Sequence, residues 1–206
     1  MPNKAVGMVA VVAVVLLAVF GLRFVLEKRT EATAAKVYEE IAAEAESRSP
    51  GATGSRASEA FQQVAVERTS ELIASRETDE ARRKAAMETF AGFFYLNVVT
   101  RPAYCLRHGE QIPRFVEAFT AVHVEELTIL SENGVDLNAR FNDPHFTRAL
   151  DKVAWPTIET DMNSIQQEHR ISAAQACQLV NQTAAELAPR VHVSAVQPQV
   201  YEALRY

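Results

Sequence analysis

His123 and Glu126 are the residues whose types and spacing come nearest to a chemical constellation. Three positions apart on a helix, a histidine and a carboxylate are neighbours and can touch. At about 100° per residue, Val116, Phe119, His123, Leu127 and Leu130 fall within about 80° of one another, and Glu126 lies beside them with Phe115, Val122 and Ile129. A polar pair on so apolar a face has two uses. It can satisfy itself and fix how the helix packs, because an unpartnered buried polar group costs about 1–3 kcal/mol. Alternatively it is half of a metal site, or a proton switch in the range where histidine titrates. The packing use is the expected one. A metal site would draw further ligands from other helices, with Glu117, His145, Asp161, Glu168 and His169 as candidates, and the two Glu-x-x-His copies of a di-iron bundle are absent.

Other constellations fail more plainly. The chain holds no HExxH, GxSxG, phosphate loop, dinucleotide fingerprint or CxxC, and no cofactor is expected. Cys105-Leu-Arg-His108 lacks the second cysteine of a haem-attachment motif. Asn181-Gln-Thr183 spells a glycosylation sequon inside a predicted helix. Cys105 and Cys177 are the only cysteines. In an exported domain such a pair reads as a disulfide, and closing a loop of 72 residues stabilises by about 4 kcal/mol in the chain-entropy model. In a reducing compartment the same residues read as two buried thiols, or as one thiol beside His108.

The first 26 residues bear on that compartment. From Ala5 to Leu22 the chain runs 18 residues without a charge, and Phe24-Val25-Leu26 resumes after Arg23. About 20 apolar residues, each rising about 1.5 Å, cross a hydrocarbon core about 30 Å thick. Residues 5–26 are therefore expected to be a single transmembrane anchor behind a short tail, residues 1–4. A core helix would show a polar back, and this run is apolar all round. A cleaved signal peptide is the alternative, although the apolar run is long for one and its nearest cleavage-like tripeptide, Ala32-Thr33-Ala34, follows a charged cluster. The orientation cues conflict. Arg23, Lys28 and Arg29 after the span outnumber Lys4 before it, whereas the short N-terminal tail and the cysteine pair favour export of the C-terminal part. Export, periplasmic in a bacterium, is the expectation.

Beyond the anchor, the chain has enough apolar content to bury one core, with 48% hydrophobic residues among 206. Residues 1–30 carry net +3, residues 31–80 net −6 and residues 81–206 net −2. No basic face follows the juxtamembrane cluster, so nucleic-acid binding is not expected, and Lys28-Arg29 marks the lipid headgroup boundary. Glycine is scarce and helical periodicity fills most of the chain, which predicts an all-α fold.

The expected organisation has three parts. Residues 27–78 form an acidic helical stalk whose seam of Ala34, Tyr38, Ile41 and Ala45 suits a partner helix, interrupted by a Ser/Gly/Pro linker at 47–58. Residues 79–206 form a compact bundle of about four to five helices. Its first helix opens at Thr78 or Asp79 and runs to about Val99, before Arg101-Pro102 breaks the chain. A second runs from Pro113 to Asn133-Gly134. A third starts at Asp143-Pro144 and continues, kinked, through Trp155-Pro156 to Ile165. A fourth opens on the capping-box pattern of Ser172 and Gln175 and carries Ala176, Val180, Ala184 and Leu187 inward. RVHVSA, after Pro189, suits a short strand but has no partner strand. The first bundle helix is apolar on two faces, with Phe90, Phe93, Phe94 and Leu96 either central core or the wall of an apolar binding surface.

Three functional readings follow. The first is a membrane-anchored interaction or scaffold component of a cell-envelope assembly, contacting the bilayer through residues 5–26 and an envelope protein, or itself, through the stalk. The second is a binding module for a lipid or small apolar ligand, using the Phe90–Leu96 surface. The third, ranked last, is a metal-dependent or hydrolytic enzyme around His123 and Glu126.

Overall fold

The computed structural model describes residues 27–206, all helix and turn with no strand among them. The expected anchor at residues 5–26 lies outside the described residues, and no described helix is long and apolar enough to cross a membrane.

One helical rod, Asp79 to Arg107, organises the rest. Helix α3 (Asp79–Tyr95) is capped by Thr78, whose hydroxyl accepts the Ala81 N–H at 3.2 Å, and Asp79 and Glu80 occupy the first turn, where carboxylates suit the helix dipole. The expected break at Arg101-Pro102 does not occur. Leu96–Thr100 form a π-turn, and α4 (Arg101–Arg107) continues directly from it. The Arg101 N–H reaches five residues back, to the Leu96 carbonyl. The wider turn moves aside the carbonyl that the Pro102 ring would otherwise strike, so the proline is passed without ending the rod.

Two helices sandwich this rod. Helix α8 (Pro144–His169) runs parallel to it, so that Tyr95 meets Asp151, Arg101 meets Asp161 and Tyr104 meets Gln166 in the same order along both. Helix α5 (Pro113–Val122) runs antiparallel, with Phe115 against Arg101 and Phe119 against Phe93 and Phe94. A helix pressed from both sides must be apolar on both. Helix α8 itself starts on the Asp143 carboxylate, which accepts the His145 N–H, and continues through Pro156 as one helix. The carbonyl that Pro156 leaves without a donor belongs to Lys152, an exposed residue that water can serve.

Two helices read as continuous are broken. The chain leaves α5 at His123 and re-enters helix as α6 (Val124–Glu132), which stops at Gly134 with φ 75°. The capping box at Ser172 and Gln175 opens α9 (Ala173–Gln182) as expected, but Thr183 separates it from α10 (Ala184–Arg190). A short α7 (Leu137–Phe141) lies between α6 and α8. RVHVSA is not a strand: it holds the end of α10, a cap at His192 and most of the one-turn α11 (Val193–Val196), before α12 (Pro198–Arg205). The bundle is therefore built from more and shorter helices than periodicity suggests. Cys105 on α4 and Cys177 on α9 are both fully buried, with Cα atoms 5.6 Å apart and sulfurs bonded.

Residues 27–78 do not stand apart as a stalk. Helices α1 (Glu27–Arg48) and α2 (Ser55–Ala74) are joined by the turn at 49–54, shorter than the expected linker because Ser55–Ser58 already belong to α2. Ile41 and Ala45 bury their seam in the same core as Phe61, Val64, Ile73 and the rod, with Tyr38 stacked on Phe61 at 5.2 Å. The seam's partners are thus α2 and α8 of its own chain. Acidic residues on α1 and α2 are tied by arginines: Glu44 pairs with both Arg48 and Arg68, and Arg48 also with Glu67.

Candidate functional site

The site built from His123 and Glu126 acquires a third member, His192, from the far end of the chain. His123 sits at the break between α5 and α6, where its amide turns back to the Thr120 carbonyl. In an unbroken helix that amide would serve Phe119. The ring does so instead, donating from Nδ1 to the Phe119 carbonyl at 2.8 Å. Nε2 must then be the acceptor, and it takes the Val193 N–H at 3.0 Å. Both partners are backbone groups with fixed roles, so the neutral Nδ1–H tautomer is imposed. The ring is fully buried among Phe90, Phe93 and Phe119. Burial holds its pKa down to about 4, with His192 pushing the same way and the Phe119 hydrogen bond opposing.

His192 stacks flat on His123, ring centres 4.6 Å apart, and its Nε2 lies 3.6 Å from the buried Glu126 Oε1. Glu126 therefore pairs with His192, and the contact expected between His123 and Glu126 is replaced by this three-residue arrangement. The reason lies in the break at His123, which resets the helical register between residues 123 and 126. His192 caps α11: its Nδ1 accepts the Ser194 N–H at 3.2 Å and lies 2.8 Å from Ser194 Oγ. Since an amide can only donate, Nδ1 is unprotonated and Nε2–H points at Glu126.

Serine, histidine and buried carboxylate in line have the connectivity of a nucleophile, its base and the base's orienter. The surrounding amides fill no catalytic role, however. The Val193 N–H serves His123, the Ser194 N–H serves His192 and the Ala195 N–H serves the His192 carbonyl, so none of the three is left to hold an oxyanion. What the cluster does is fasten α11 to the α5–α6 break.

Nor do the residues weighed as metal ligands converge. Among the described residues no group of three or more His, Cys, Asp or Glu is placed to hold a metal ion. His123 has no free ring nitrogen. Glu117 is exposed, and His145 and His169 stand at opposite ends of α8, about 36 Å apart at about 1.5 Å per residue. Asp161 is buried against Arg101. Phe90, Phe93, Phe94 and Leu96, weighed as an apolar binding wall, are buried in the core at 0%, 1%, 7% and 0% exposure, so as folded they present no surface to a ligand.

A second polar centre lies on the rod that carries the π-turn, around Arg101. Arg101, at the exit of the π-turn, is 1% exposed. Its Nη1 lies 2.6 Å from Asp161 Oδ2, its Nε donates to Asn97 Oδ1 at 3.2 Å, and its guanidinium lies over the Phe115 ring. Burial pushes the Asp161 carboxyl up, against the pull of Arg101. The signal was present, an arginine inside FFYLNVVTRPAYC, but beside a proline it reads as a helix end. Asn181 lies inside a helix, α9, as expected, and has a role its spacing did not show. Its side-chain oxygen caps α5 from α9, accepting the Arg114 N–H at 3.0 Å.

The chain matches no protein-family model, no curated protein and no solved structure.

Proposed function

We propose that this chain is a single-pass membrane protein whose helical domain lies on the extracytoplasmic side and serves as an interaction or scaffold component of a cell-envelope assembly. The observation that carries the reading is the Cys105–Cys177 bond, buried between α4 and α9 and far apart in sequence. Such bonds persist in oxidising compartments and are rare in the cytosol. The apolar run of residues 5–26, charge-free from Ala5 to Leu22, supplies the means of attachment. The contacts that the polar clusters do make join helices to one another, which agrees with the interaction role.

A topology reporter fused after Tyr206 tests this, read together with gel mobility of the full chain with and without reductant. An extracytoplasmic reporter, detergent-dependent extraction and a reductant-sensitive shift are expected. A cytoplasmic reporter with two free thiols would remove the compartment and the disulfide together.

A further inference from the structure

A cleft of about 560 Å³ opens between one face of α3, the turn after α6, and α7, within the usual range for small-molecule sites. Its outstanding property is the charge of its walls. Arg83 and Lys84 reach it from α3 and Arg140 from α7. Five arginines outside the cleft, Arg48, Arg68, Arg82, Arg101 and Arg205, each make an ion pair. Among the described residues Arg83, Lys84 and Arg140 make no ion pair, Arg140 lying over the Phe146 ring, and the Arg83 Nε is buried with no acceptor. Leaving such a donor unmatched is costly unless something else takes it.

Two carboxylates, Glu80 and Glu88, also line the cleft. Burial pushes the Glu88 carboxyl up, against the pull of Arg140, Lys84 and Arg76, which weakens one of these two acidic groups as a competitor for the cations. Met87 and Val135 supply an apolar wall beside these charges. Two guanidinium forks and an ammonium suit the several oxygens of a phosphate or carboxylate.

We infer that this cleft binds a small oxyanion, a phosphate or carboxylate carried on a short apolar arm, with Arg83, Lys84 and Arg140 on the oxyanion and Met87 and Val135 against the arm. The site is independent of the membrane reading.

The test is calorimetric titration of the full chain in detergent micelles with phenyl phosphate, benzoate and inorganic phosphate at low salt. Saturable one-site binding of phenyl phosphate or benzoate, tighter than inorganic phosphate, is expected. Arg83→Gln and Arg140→Gln should each weaken it about tenfold or more, since a hydrogen bond to a charged group contributes about 1.5–3 kcal/mol. Lys36→Gln, on the exposed face of α1, should leave it unchanged. If a glutamine variant melts early, Arg83→Lys and Arg140→Lys decide: they keep the charge, lose the fork, and should still weaken binding. Absence of saturation, or binding that ignores both arginines, overturns the site; equal affinity for inorganic phosphate overturns the apolar arm.

Discussion

His123 shows how one side chain can do the work of a backbone. By taking the Phe119 carbonyl with its ring it lets the chain leave α5, and by accepting the Val193 N–H it pins α11 to the break. The second contact requires a neutral ring, because a protonated Nε2 cannot accept. With a folded pKa of about 4 against about 6.5 in the unfolded chain, the two states bind protons alike above about pH 6.5. Between those values only the unfolded chain takes one up, so stability is fully present at pH 7 and lost as pH falls. The residue's share of that loss is up to about 3 kcal/mol, and the raised Asp161 carboxyl works in the opposite sense. His123→Gln should be less stable than the wild type at pH 7 yet lose less on going to pH 4.5, as read by urea unfolding. Parallel pH dependence in the two proteins would show that His123 does not carry the effect.

At the scale of elements, the π-turn and the Arg101–Asp161 pair belong together. The turn rolls Arg101 inward, where α8 offers a carboxylate and α5 an aromatic face. The pair therefore crosses the central interface of the bundle. Removing one partner of a buried pair strands the other charge and typically costs about 3–5 kcal/mol, whereas replacing both by apolar groups is often neutral or better. Arg101→Met alone should thus lower the unfolding free energy by about that amount, and Asp161→Leu added to it should restore most of the loss. Chemical denaturation of the two single variants and the double variant measures the coupling. Additive losses would mean that the two charges are satisfied separately.

The described residues share one core, reached from both of their ends. Ile41 and Ala45 near their start and Val200 and Leu204 near their end are buried in the same cluster. Among the described residues the core's buried members lie between Ile41 and Leu204. A chain beginning at Glu27 is accordingly expected to melt cooperatively in solution without detergent, by circular dichroism. A broad, non-cooperative melt would show that residues 1–26 are part of the folded unit. The disulfide should add to this stability by about 4 kcal/mol in the chain-entropy model, measurable as the difference in unfolding midpoint with and without reductant.

Features that depend on near neighbours in the chain were legible in the sequence. The all-α class, the caps at Thr78, Asp143 and Ser172, the stop at Gly134, and the central place of the helix bearing Phe90 and Phe93 follow from periodicity and capping chemistry, which act over one or two turns. Cys105 and Cys177 could be paired because no other cysteine competes. Partnerships between distant segments were decided only in three dimensions. Glu126 reaches a histidine 66 positions away rather than one three away. Arg101 becomes a core residue because a π-turn lets its helix survive a proline, and the seam on α1 is covered by its own chain. Local spacing shows which side chains are able to meet; burial, by leaving each inward polar group in need of a partner, selects the ones that do.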